Sequence, residues 1–291
     1  MDDMFQQLKS LNSNLQRLID FMIPVQDPGV FDQFTAFRAL SRNNKLHIRG
    51  IAEPDPVRFG ELRGVDALIT PLRENTEQFL KDLPCSNVLL YGPRGTGKSS
   101  AIKALLNEYS GRGLRMIDVQ RDVLFHLFDI AEMIRGRTEK FIVFCDDLSF
   151  EDEESSYRQL KTVLEGGLEV KPGNMLIYAT SNRRHLMPEK ANDNQPAYYD
   201  GELHPSESLE ERLSLSDRFG IRLGFFHFDM DMYLDIVRNY AALRNITLPD
   251  DELKAGASRW ALSHGSYSGR TARQFIDDLE GRLRHYRKRL S

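Results

Sequence analysis

The stretch Gly92-Pro93-Arg94-Gly95-Thr96-Gly97-Lys98-Ser99-Ser100 decides the fold. From Gly92 to Ser99 it has the form G-x-x-x-x-G-K-[ST], after the apolar run Asn87–Tyr91 and before a helical stretch, Ser100–Tyr109. A chance match in a chain this long is expected about 1% of the time. Glycines let the backbone curl so that amide N–H groups point at phosphates near a helix N-terminus. Lys98 in such a loop bridges β- and γ-phosphates, and the Ser99 hydroxyl binds Mg2+. Residues Gly92 to Ser100 are therefore the expected binding loop for a nucleoside triphosphate.

Working outward, short apolar runs recur at Asn87–Tyr91, Leu114–Val119, Phe141–Cys145, Met175–Thr180 and Ile221–Phe226, separated by helical or turn-rich sequence. Strands alternating with helices predict an α/β fold with a parallel sheet covered on both faces. The run Phe141-Ile-Val-Phe-Cys-Asp146-Asp147 adds chemistry. A buried strand that ends in carboxylates delivers them to the sheet's C-terminal edge, beside the phosphate loop. Asp146 is the expected Mg2+ residue, and Asp147 is placed to orient the attacking water.

The flanks are helical in pattern. Met4, Leu8, Leu11, Leu15, Leu18 and Met22 form an a/d stripe, and Phe31, Phe34 and Phe37 again stand at helical spacing. Glu53-Pro-Asp-Pro56 reads as a connector, Glu151–Ser156 as a solvated loop or helix start, and Pro188–Ser208 as a long surface loop. After residue 228 only helices are expected, with Met232, Ile236, Tyr240 and Leu243 in register and a basic run at Arg282–Arg289. The expected domains are 1–60, an N-terminal helical extension; 61–228, the nucleotide-binding core; and 229–291, a helical lid.

Composition excludes other classes. Among 291 residues, 39 are Lys or Arg and 43 are Asp or Glu, for a net charge of −4. That balance does not point to nucleic acid, which is left open as a partner without being indicated. No apolar run approaches the roughly 18–20 residues a membrane span needs. Cys85 and Cys145 are far apart, outside any CxxC pattern, so the expectation is a cytoplasmic chain in a reducing compartment.

The phosphate loop and the carboxylate strand together resemble the AAA+ ATPases. That resemblance implies a five-stranded parallel sheet between helices, a helical lid, and Mg-ATP hydrolysis coupled to conformational change on a protein client. Leu62-Arg-Gly64-Val65-Asp66 resembles the segment that packs on adenine, and Ile177-Tyr-Ala-Thr-Ser-Asn182 places Asn182 as the first sensor. Ser216-Asp217-Arg218-Phe219 resembles the segment whose arginine reaches the γ-phosphate of a neighbouring subunit, so the resemblance implies a homo-oligomer. Gly269-Arg270-Thr-Ala-Arg273 resembles the second sensor, with Arg273 the first choice and Arg270 the alternate.

A narrower resemblance spans residues 27 to 280. Asp27-Pro-Gly-Val-Phe31, Asn75-Thr-Glu-Gln-Phe79, Cys145-Asp-Asp-Leu-Ser-Phe150, Thr180-Ser-Asn-Arg-Arg-His-Leu186 and Leu215-Ser-Asp-Arg-Phe-Gly220 are similar to a bacterial ATP-binding AAA+ family, domain of unknown function 815. The broad AAA+ pattern has Glu where this chain has Asp147, one methylene shorter. A nucleotide-gated scaffold with little hydrolysis is therefore the alternative reading. A small-molecule kinase or a GTPase is weaker, because the chain has sensor-like residues and no NKxD-type motif.

Overall fold

The computed structural model describes residues 6, 7, 9, 29–148, 160–164, 171–182, 197–199, 202–204 and 215–290. Its strands are β1 (Ala36–Arg42), β2 (Lys45–Gly50), β3 (Val88–Tyr91), β4 (Leu114–Asp118), β5 (Lys140–Cys145), β6 (Met175–Ser181), β7 (Ala197–Tyr199), β8 (Glu202–His204) and β9 (Ile221–Gly224). The five apolar runs thus become β3, β4, β5, β6 and β9. Among the described residues the main sheet has the order β2-β1-β4-β5-β6-β3-β9, and every pairing is parallel except β1 with β2.

Alternate residues of the parallel strands face opposite layers, as the pleat requires. One core gathers Leu89, Ile117, Val143 and Ile177 under α1 (Val30–Gln33), α4 (Leu127–Ile134) and the helical residues 160–164. The other gathers Leu90, Met116, Ile142 and Leu176 under α2 (Asp66–Leu80) and α3 (Lys98–Tyr109). A buried polar link ties the second layer to the sheet. Asn75 Nδ2 donates to the Tyr178 hydroxyl at 2.8 Å and to Ser86 O at 2.9 Å, and Thr76 Oγ1 lies 2.9 Å from the same hydroxyl.

Two expectations need correction. The sheet has seven strands where five were expected, because β1 and β2 extend it beyond β4. The same pair overturns the helical reading of residues 36–50. Phe31 lies in α1, but Phe34 is extended and Phe37 is a strand residue. The three phenylalanines fit a helical period, yet the segment follows period two, with Phe37 and Ala39 buried side by side on one face. Asn43 and Asn44 turn the chain with φ of 49° and 59°, the left-handed pair that a two-residue hairpin uses. Within the stretch read as a loop, β7 and β8 pair as a second small hairpin. The Met4–Met22 stripe and Glu151–Ser156 lie outside the described residues, apart from the helical residues 6, 7 and 9.

The remaining helices, α5 (Met230–Leu243), α6 (Asp250–His264) and α7 (Gly269–Leu290), enclose their own core of Tyr233, Val237, Ala257, Ala261 and Ile276. Asp229 caps α5 by accepting the Met232 amide at 2.8 Å. Arg244 at the end of α5 pairs with Asp277 and Glu280 of α7, at 2.5 and 3.1 Å. In the basic run, Arg282 pairs with Asp278 at 2.5 Å and Arg284 pairs with Glu280, so these two cations neutralise acids one turn back. No described helix is long and apolar enough to cross a membrane.

Candidate nucleotide site

The register of the central strands builds the site. β3 pairs with β6 so that Tyr91 faces Ser181, and β5 pairs with β6 so that Cys145 faces Ala179. The loop after Tyr91, the carboxylates after Cys145 and the end of β6 therefore meet at one edge. Gly92 N donates to Ser181 O at 3.1 Å, and Leu148 N donates to Thr180 O at 2.7 Å, which fixes both loops to β6.

Two glycines of the loop are demanded by close approach. Gly92 has φ of 131°, and a Cβ there would lie 2.1 Å from the carbonyl oxygen of Phe225. Gly95 has φ of 78°, and its Cβ would meet the Ser268 side chain at 2.8 Å. Gly269 N, the first amide of α7, donates to Gly95 O at 2.9 Å. The lid helix thus rests directly on the loop.

Lys98 is buried, and its ammonium donates to Gly92 O at 2.7 Å, Pro93 O at 2.6 Å and Asn182 Oδ1 at 3.2 Å. Three hydrogens thus meet three acceptors. Burial holds this ammonium below the ordinary lysine range, against the pull of the Asp147 and Asp146 carboxylates. Ser99 Oγ donates to Asp146 Oδ1 at 2.6 Å, and Thr180 Oγ1 donates to the same oxygen at 2.6 Å. Asp147 N donates to Thr180 Oγ1 at 2.9 Å. Asn182 Nδ2 donates to Asp147 Oδ1, and Arg94 Nη2 reaches Asp147 Oδ2 at 3.4 Å.

Asp147 has φ of 53°, in the left-handed region. Asp and Asn are enriched there among non-glycine residues, because a short polar side chain tolerates that backbone. The local turn therefore gives a physical reason for the shorter acid at this position.

A cavity of about 620 Å³ runs from this cluster to the lid, within the size range of small-molecule sites. Among the described residues its wall carries six cations (Arg63, Arg94, Lys98, Lys103, Arg270, Arg273) against three carboxylates (Glu61, Asp146, Asp147), an excess that suits a polyanion. Leu62, Val65, Ile236 and Tyr240 give its far end an apolar surface where core and lid meet. Of the residues expected from sequence, Val65, Arg94 to Ser100, Asp146, Asp147, Asn182, Arg270 and Arg273 line it. Gly92 and Pro93 lie behind the wall and contribute the carbonyls that hold Lys98. Arg218 precedes β9 and is outside the cavity lining.

Sequence reading missed Thr180, which stands inside the stretch quoted for Asn182 and touches both carboxylate residues. It also missed the lid's side of the cavity. Ile236 and Tyr240 carry a visible i, i+4 spacing, but spacing does not say which face meets a ligand. Cys145 is wholly buried and burial pushes its thiol up, which removes it from nucleophilic chemistry.

A mostly parallel sheet in this strand order, with a G-x-x-x-x-G-K-S loop after β3, carboxylates after β5 and a helical lid on the loop, is the arrangement of a P-loop protein of the AAA+ class. The chain belongs to the family described as "Protein of unknown function (DUF815)", which it matches over residues 32–283. It is also similar to proteasome-activating nucleotidase 2 of Haloferax volcanii, at 29% identity over 147 residues. That match spans 45% of this chain and 35% of the relative's length. Among solved structures, a single-residue variant of Thermotoga maritima RuvB aligns with a TM-score of 0.48 at 14% identity, covering 77% of this chain and 72% of that one. The Thermotoga maritima RuvB Holliday junction branch migration motor aligns with a TM-score of 0.47, at the same identity and coverage.

Proposed function

We propose that this chain binds ATP with Mg2+ and hydrolyses it, using the cycle to reposition the lid on an oligomeric assembly that acts on a protein client. The observation that carries this reading is the meeting of Lys98, Ser99, Asp146, Asp147 and Asn182 around one loop, within a wall rich in cations. The donor set suits a hard divalent cation. Ser99 Oγ and Asp146 Oδ1 are oxygen donors 2.6 Å apart, and Mg2+ is held by one or two such groups with phosphate and water completing its shell. When bound, Mg2+ neutralises charge on the β- and γ-phosphates.

The chain's own residues divide the remaining work. The loop amides and the Lys98 ammonium receive the phosphates. Asp147 orients the attacking water and accepts its proton. Asn182, which bridges Lys98 and Asp147, sets the water relative to the γ-phosphate. Arg273, with Arg270 as the alternate, acts on the phosphates from the lid's side of the cavity, and Arg218, outside the cavity lining, acts on a neighbouring subunit's site. Catalysis of this kind consists mostly of positioning and charge stabilisation.

A phosphate-release assay with parallel nucleotide-binding measurements tests the reading. Lys98→Ala should lose binding or turnover, and Asp147→Asn should bind ATP and lose turnover. Full turnover by the Asp147→Asn protein would reject the role given to Asp147. The second reading, a nucleotide-gated scaffold, draws on the hold that Arg94 and Asn182 keep on Asp147. ATP binding without phosphate release by the unaltered chain would favour it.

A further inference from the structure

Arg94 reaches from the loop across the mouth of the site to Asp147. It stands between Gly92 and Gly95, and its guanidinium meets the carboxylate that the proposed reaction needs for its water. That carboxylate is engaged on both oxygens, by Arg94 at Oδ2 and Asn182 at Oδ1, while Asn182 accepts from Lys98 through its own Oδ1. The contacts form a chain, Lys98 to Asn182 to Asp147 to Arg94, whose two ends are cations carried by the same phosphate loop.

The Arg94 contact is built to be exchanged. At 3.4 Å it is long for a charge-assisted bond, and its partners are 71% and 53% exposed, so water and salt screen it heavily. A phosphoryl group offers a guanidinium two oxygens and more negative charge than a carboxylate does. Arg94 and Lys98 line the same cavity, and phosphates received by Lys98 lie within the field of both cations.

We propose that Arg94 is a positioning residue that senses the terminal phosphate in cis: it holds Asp147 until a γ-phosphate draws the guanidinium away, and so frees the carboxylate to take up its water. The inference rests on the nucleotide reading above and extends it to a residue that tells a triphosphate from a diphosphate. Such discrimination is reciprocal, because the phosphate that binds Arg94 must also compete with Asp147 for it.

The test is isothermal titration of the full chain with ADP and with a non-hydrolysable ATP analogue, each with Mg2+, for the unaltered protein, Arg94→Ala, Arg94→Lys and Lys98→Ala. In Arg94→Ala the preference for the analogue over ADP should fall about tenfold, the order of one hydrogen bond to a charged group. ADP affinity should fall by less than affinity for the analogue, and Arg94→Lys, a cation without the planar fork, should give an intermediate ratio. Asp147→Asn should raise affinity for the analogue in the presence of Arg94 and leave it unchanged in Arg94→Ala, a coupling that a merely structural arginine does not produce. An unchanged analogue-to-ADP ratio in Arg94→Ala, with Lys98→Ala abolishing binding, overturns the role of Arg94 and leaves the nucleotide reading standing. No binding by the unaltered chain overturns both.

Discussion

The Thr180 hydroxyl donates to Asp146 Oδ1 across 2.6 Å while it accepts the backbone amide of Asp147 at 2.9 Å. One side chain at the end of β6 therefore sets both carboxylate residues at the end of β5. Its position follows from strand register, since Cys145 pairs with Ala179, and Asp146 and Thr180 are the residues that come next along the chain.

Thr180→Val keeps the shape of the side chain and removes this link. The Asp147 amide loses its acceptor and Asp146 loses one of two donors to Oδ1. Turnover should fall at least about tenfold, with a stability loss of about 1–3 kcal/mol for the unsatisfied groups. Steady-state phosphate release and urea unfolding of the same preparation check both; unaltered turnover would remove Thr180 from the site.

Lys98 gives the site an alkaline limit. Its folded pKa is lowered, chiefly by burial, so between that value and about 10.4 the unfolded chain binds more protons than the folded one. Stability from this group therefore rises as pH climbs through the window, whereas phosphate binding, which needs the ammonium, declines over it. Nucleotide affinity measured from pH 7 to 10.5 should begin to fall below the ordinary lysine range. A level affinity up to that range would contradict the lowered value.

Tyr178→Phe probes the link between α2 and the sheet. The buried hydroxyl, whose pKa burial pushes up to about 12, receives Asn75 Nδ2 and meets Thr76 Oγ1. Removing it leaves polar groups in a dry layer and should cost about 1–3 kcal/mol, read as a lower denaturation midpoint with unchanged slope. The phosphate loop is not touched, so nucleotide affinity at 25 °C should stay within about twofold.

Arg218 is testable by mixing. If it serves a neighbouring subunit, Arg218→Ala and Lys98→Ala chains are each inactive alone but regain part of the turnover when co-assembled. Sedimentation of the mixture establishes co-assembly; a co-assembled mixture without recovered turnover counts against action in trans.

The sequence made the loop, the five parallel strands and the acidic strand end legible for a physical reason. Each is a local pattern whose period or glycine spacing leaves few alternatives. Residues 36–50 were not legible, because three phenylalanines at helical spacing outweighed an Asn43-Asn44 turn that lacks the glycine of the strongest hairpin signal. Thr180 and the Arg94–Asp147 contact were hidden because they depend on strand register and on where β3, β5 and β6 end together. The left-handed backbone of Asp147 had no sequence mark beyond the identity of the residue itself.

The hydrogen bond from Gly269 N to Gly95 O has a consequence for how far the lid acts on its own. The free amide at the start of a helix is a donor that α7 spends on the loop instead of on a ligand or water. Whatever stiffens the loop in its present curl also favours the docked lid, and by thermodynamic reciprocity the docked lid raises affinity for that ligand by the same factor. Lid orientation and loop shape are then coupled through this bond, so a substitution that pushes α7 off the loop would be read first as a change in nucleotide affinity.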